Sequence, residues 1–135
     1  MHKLYLSLGT NLGNKEQNLL NAIEQINKSI GKVVRQSTFI STAPIDFVSK
    51  NQFLNAAVLV ETSLSPTDCL LATQQIERKM GRKQKSINGQ HFDRIIDIDL
   101  LLYDDIQLST PELTLPHPKM FERDFVMIPL QEIMP

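Results

Sequence analysis

The chain has 135 residues, 41% hydrophobic and 21% charged, with a formal net charge of −1. That is the length of one domain, expected to span 1–135, with enough apolar material for a core without disulfides. The charge balance leaves no basic tail for nucleic acid, and Met1-His-Lys-Leu-Tyr opens no apolar run long enough for a signal peptide or membrane span. A cytoplasmic protein with neither nucleic-acid nor membrane partner is the expectation. Cys69 is alone, which excludes an internal disulfide and a thiolate metal cluster.

Leu4 to Leu8 reads as a short strand running into the turn-rich Gly9-Thr-Asn-Leu-Gly13. Asn14 is a helix cap with Gln17 as its capping-box partner, and Leu19, Leu20, Ile23, Ile26 and Ile30 recur at helical spacing up to a glycine stop at Gly31. Val33 to Thr42 is a second strand, closed by Ala43-Pro44. Phe47 to Gln52 is a polar loop, and Phe53 to Thr62 a third strand. Ser65-Pro-Thr-Asp68 starts a second helix with a cap, a proline in the first turn and an acid behind it. That helix ends near Gly81 and carries Cys69 beside Leu70 and Leu71, a core position. Residues 82–93 are polar and read as loop, and Arg94 to Tyr103 as the fourth strand. After it, Pro116, Pro118 and Pro129 predict loop. The order strand, helix, strand, strand, helix, strand is that of an α+β, ferredoxin-like βαββαβ core. Such a core is an antiparallel sheet with its helices packed on one face and loops forming the site.

The fourth strand carries Asp97 and Asp99 in an apolar run. Period-two alternation puts both on one face and Ile96, Ile98 and Leu100 on the other. Two neighbouring anions repel and are costly to desolvate, and a hard divalent cation such as Mg²⁺ removes both penalties. The spacing alone fits equally well the solvated face of an alternating strand. Arg82 and Arg94 bracket the preceding loop, with Arg78, Lys83 and Lys85 near them. Metal-binding acids flanked by guanidinium groups suit a polyphosphate, although each cation taken singly also suits a solvated surface. Phe53 and Asn55 share a strand face, which fits either a platform for a planar heterocycle or a core Phe beside a satisfied Asn. His117 is fixed between Pro116 and Pro118 and could meet phosphate or serve no task. Gly9-Thr-Asn-Leu-Gly13 lacks the GK[ST] ending of a P-loop.

Taken together these segments resemble the 6-hydroxymethyl-7,8-dihydropterin pyrophosphokinase family. The resemblance rests on Leu6-Ser-Leu-Gly-Thr-Asn-Leu-Gly13, Phe53-Leu-Asn-Ala-Ala-Val58, Gln74-Gln-Ile-Glu77 with Gly81-Arg82, Arg94-Ile-Ile-Asp-Ile-Asp-Leu-Leu101, and Leu115-Pro-His-Pro118. It covers nearly the whole chain and implies the same ferredoxin-like fold. It also implies transfer of pyrophosphate from ATP to the hydroxymethyl group of the pterin, with release of AMP, in tetrahydrofolate biosynthesis. Asp97 and Asp99 would ligate two Mg²⁺ ions, and Arg82 and Arg94 would neutralise charge on the phosphates, these four being the catalytic set. Thr42, Ile45, Phe53, Asn55 and Phe125 match pterin contacts. Gln74, Glu77, Arg82, Arg94, Leu100, Thr114, His117 and Arg123 match ATP contacts. A monomer is expected.

Departures from the family pattern are visible. Gln84 stands where members carry a second basic loop residue, Glu112 where some carry Arg, and Pro118 where some carry Tyr; the loop aromatic falls on His91 or Phe92. Two other readings stand beside the enzyme: a non-catalytic ferredoxin-like ligand-binding module, and a metal-dependent phosphohydrolase using the same carboxylates. The loops 47–52 and 82–93 are expected to close over the site, the second tightening when both substrates bind.

Overall fold

Strand β1 (His2–Thr10) is the centre of the sheet, paired antiparallel on one side with β4 (Phe53–Thr62) and on the other with β7 (Asp97–Tyr103). The structure is a computed structural model describing residues 1–42, 52–81, 86–87, 90–91 and 94–135. The outer side of β4 pairs antiparallel with β2 (Gly31–Gln36) and β3 (Ile40–Thr42), completing five strands in the order β2-β4-β1-β7, with β3 following β2 along the same edge of β4. The expected ferredoxin-like antiparallel sheet is present.

The predicted second strand runs as two pieces, because at Ser37 the side chain takes over one of the two backbone bonds with Ala57. Its hydroxyl accepts the Ala57 N–H at 2.8 Å and donates to the Thr38 carbonyl, while its own N–H reaches the Ala57 carbonyl. One extra residue is absorbed between the Gln36–Val58 and Ile40–Asn55 pairs, a β-bulge.

Helix α1 (Lys15–Ser29) is capped by Asn14, whose side chain accepts from the Gln17 N–H. The Gln17 amide donates onward to Asn21 at 2.8 Å, so the second arm of the expected capping box goes elsewhere. Gly31 follows the helix end for a different reason from a left-handed stop. A Cβ there would overlap the Glu61 carbonyl of β4, so only glycine lets the strand approach this closely. Helix α2 (Pro66–Lys79) is capped by Ser65 as predicted. Leu19, Ala22, Ile23 and Ile26 of α1 and Cys69 and Ile76 of α2 pack on Leu4, Leu6, Leu8, Ala56, Val58, Val60, Ile98 and Leu100. Burial pushes the Cys69 thiol up to about 11, which fits a packing residue.

Beyond Tyr103 the expectation of loop is overturned. Short strands β8 (Leu108–Ser109) and β9 (Thr114–Leu115) pair, a 3₁₀ turn covers Met120–Glu122, and α3 spans Asp124–Ile133 with Pro129 inside it. Proline lacks the N–H that would reach back to residue 125, a local cost. Burial of Val126, Leu130 and Ile133 against Tyr5, Ala57, Leu59, Leu101 and Met120 outweighs it. The two predicted helices lie on one sheet face, and this third helix covers part of the other. Within residues 82–93, Ser86–Ile87 (β5) pairs antiparallel with Gln90–His91 (β6). The intervening sequence Asn88-Gly89 is a strong hairpin signal, hidden here by polar composition.

Candidate active site

Register builds the site. Gly9 pairs with Asn55 of β4 on one side and Asp97 of β7 on the other, and Ser7 pairs with Ala57 and Asp99. Alternation therefore sets Phe53, Asn55, Ser7, Gly9, Asp97 and Asp99 on the face away from α1 and α2, while Ile96, Ile98 and Leu100 point into the hydrocarbon under those helices. The predicted split of both strands is observed.

Gly9 makes the middle of this face a bare backbone floor. A Cβ there would stand 3.1 Å from the Asn55 side-chain oxygen and 3.6 Å from the Phe53 ring. Asn55 is buried, and its amide donates to the Thr42 hydroxyl at 2.7 Å, which fixes which edge it presents. Phe53 and Thr42 are half-buried.

Arg94 joins this floor to the acids. It is only 8% exposed, its guanidinium lies 3.1 Å from the Asp97 carboxylate, and the same group stands 5.7 Å from the Phe53 ring centroid. An ion pair and a cation–π contact thus hold one guanidinium from two directions. Asp97 and Asp99 are half-buried, with neither carboxylate sealed in the core. Among the described residues no three His, Cys, Asp or Glu gather as a metal cluster. Two carboxylates are nevertheless a complete protein contribution for Mg²⁺, which commonly takes its remaining ligands from waters and substrate phosphates.

A cleft of about 210 Å³ opens beside the outer edge of β7. Its walls include Asp99, Leu100, Thr114 and His117, together with Leu70 of α2 and Glu112. Three of the residues matched to ATP therefore line one space, and an acid of the pair borders it. The His117 N–H donates to the Leu101 carbonyl, tying this wall to β7. Gln74 lies one turn along α2 from Leu70, on the same helix face by spacing. Glu77, 4% exposed, reaches the sheet edge, where its carboxylate accepts the Ile98 N–H at 2.8 Å, between the two aspartates. On the α3 side, Arg123 stands 5.6 Å from the Phe125 ring, and Phe125 packs partly against the cluster containing Ala57 and Tyr5. Ile45, Arg82, Lys83, Gln84, Lys85 and Phe92 lie outside the described residues, as does the His91 side chain, so the choice of loop aromatic and the loop-closure expectation rest on sequence alone.

Two site features escaped the sequence reading. Gly9 was placed in a turn-rich run, although its pairing with a polar strand position was a signal once register was known. Glu112, noted only as a departure, lines the cleft.

Paired carboxylates beside a guanidinium and an aromatic–amide floor suit the holding of a polyphosphate next to a planar molecule. Residues 5–135 match the family described as 7,8-dihydro-6-hydroxymethylpterin-pyrophosphokinase. The chain is 46% identical over 133 residues to the 2-amino-4-hydroxy-6-hydroxymethyldihydropteridine pyrophosphokinase of Porphyromonas gingivalis, covering 98% of this chain and 90% of that one. It is 38% identical over 130 residues to the enzyme of the same name from Bacillus subtilis, covering 96% and 76%. A Plasmodium falciparum HPPK-DHPS crystal structure with pterin and p-hydroxybenzoate superposes with a TM-score of 0.76 at 18% identity, covering 99% of this chain and 40% of that longer one, a likeness of fold. The chain belongs to the 7,8-dihydro-6-hydroxymethylpterin-pyrophosphokinase family. It is an ATP-dependent pyrophosphokinase of folate biosynthesis. The non-catalytic module and the phosphohydrolase gain nothing from these findings.

Proposed function

We infer that the chain transfers the β,γ-diphosphate of ATP to the hydroxymethyl oxygen of 6-hydroxymethyl-7,8-dihydropterin through the residues described above. The pterin ring lies over Phe53 and the Gly9 floor, with Phe125 as a further wall and Asn55, braced by Thr42, reading its polar edge; Ile45 is a pterin contact on the family resemblance alone. The nucleoside occupies the cleft of Leu100, Thr114 and His117, with Gln74, Glu77 and Arg123 completing its surroundings. Asp97 and Asp99 would hold two Mg²⁺ ions, a role that their hard-oxygen chemistry and shared face support. Bound Mg²⁺ supplies charge neutralisation along the phosphate chain.

The pterin oxygen forms a bond to the β-phosphorus as the bond from that phosphorus to the α,β-bridging oxygen breaks, releasing AMP, and the hydroxyl proton passes to solvent. Arg94, held by Asp97 and Phe53, cancels charge on the transferring group, and Arg82 is its partner from sequence. Alignment of the two substrates supplies the rest of the acceleration. The observation that carries this reading is the Arg94 guanidinium, paired with Asp97 and set against the Phe53 ring of the aromatic floor at once.

Residues 1–135 act as one domain, a monomer working in the cytoplasm. Among the described residues no helix is long and apolar enough to cross a membrane. Light scattering is expected to return the mass of one 15.4 kDa chain. The direct test is AMP release from ATP and Mg²⁺ with and without the pterin alcohol. AMP that appears only with the pterin supports transfer. AMP released equally without it favours hydrolysis, and none in either case removes the enzyme reading.

A further inference from the structure

The turn after β1 is no phosphate loop, and its asparagine is turned inward. Asn11 is 2% exposed. Its side-chain oxygen accepts the Arg94 N–H at 2.7 Å, and its own N–H donates to the Arg94 carbonyl at 3.0 Å. One residue therefore binds both backbone groups of another lying 83 positions away. A single hydrogen bond leaves a hinge, whereas two from the same residue fix orientation. The turn is itself anchored, since the Asn18 amide donates to the Thr10 hydroxyl at 3.2 Å and the Leu12 carbonyl at 2.8 Å, on either side of Asn11. From this fixed backbone the Arg94 side chain runs to Asp97 and over Phe53.

Resting on the reaction given above, we propose that Asn11 is a positioning residue for diphosphate transfer, aiming the Arg94 guanidinium through the backbone without touching substrate. Its contribution belongs to the chemical step. A displacement of about 1 Å in a charge-cancelling group costs on the order of 10²-fold in rate, while ground-state binding through other residues persists.

The test is a four-point cycle of wild type, Asn11→Ala, Arg94→Ala and the double variant. AMP release, the KM for each substrate and the melting temperature are measured for each. Asn11→Ala is expected to lower kcat by about 30- to 100-fold with both KM values within about threefold, and the double variant to be no slower than Arg94→Ala alone beyond about threefold. Fully additive losses overturn the proposal, as does an effect confined to KM. Should Asn11→Ala fail to fold, Asn11→Asp keeps an oxygen for the Arg94 N–H and is expected to retain kcat within about tenfold. A folded Asn11→Asp as slow as Arg94→Ala overturns it. A wild type that releases no AMP defeats the reaction itself, whereas an active wild type with an additive double variant defeats only the role of Asn11.

Discussion

On the α1–α2 face of the sheet, Leu4, Leu6, Leu8, Val58, Ile98 and Leu100 are buried hydrocarbon. On the opposite face the same three strands present Ser7, Gly9, Asn55, Asp97 and Asp99 at one end, and Tyr5, Ala57, Leu59 and Leu101 at the other, where α3 closes over them. Both faces come from one period-two alternation. The first uses it for packing, with Ile98 and Leu100 also bordering the cleft at the sheet edge. The second divides along its length, with packing confined to the end under α3 and the other end left for chemistry. Rigidity is thus supplied from behind, by side chains buried under the two helices, and polar groups in front can be held in costly company. The two faces should therefore respond to mutation in different currencies.

The largest expected effect falls on the polar face. Asp99→Asn should lower kcat by about 10³-fold or more, as loss of a metal- and charge-handling group does, while the melting temperature holds or rises because two neighbouring anions no longer repel. Steady-state AMP assays beside calorimetry separate the two, and a variant that loses activity only by unfolding would blur the distinction between faces. On the packing face, Leu6→Ala should cost about 2–5 kcal/mol by urea titration, with kcat per folded molecule near wild type. Asn55→Ala should raise the KM for the pterin by about tenfold, a lost buried hydrogen bond, and leave that for ATP unchanged. Equal shifts in both would mean that floor and cleft are not separate.

The smallest effect tests how α3 is fastened. Glu132 accepts from the Thr38 N–H at 3.0 Å and from the Thr38 hydroxyl at 2.8 Å, and these bonds, the backbone one first, hold its pKa below the usual glutamate value. A depressed folded pKa contributes stability above the unfolded value and loses it as pH falls through the folded one. Glu132→Gln should therefore lower the melting temperature slightly at pH 7, with the gap to wild type closing as pH falls below about 4.5.

Much of this was legible from the residues. The Asp97–Asp99 face and the Phe53–Asn55 face follow from alternation within single strands, and the caps Asn14 and Ser65 from local chemistry. What was not legible depends on distant partners. The break at Ser37 needs Ala57 across the sheet, and the bonds around Asn11 need Arg94. Helix α3 contradicts a local rule at Pro129 and exists because burial on Leu59, Leu101 and Tyr5 outweighs it. The cleft needs α2, the β8–β9 pair and residues 117–118 to converge, which no single segment announces.

The most direct measurement follows AMP and the pterin diphosphate together while Mg²⁺ is titrated, in wild type and in the Asp97→Asn/Asp99→Asn double variant. The account predicts equal amounts of both products from the wild type, rising with Mg²⁺, and neither from a double variant that remains folded. A folded double variant that still makes both products at the wild-type rate would contradict it.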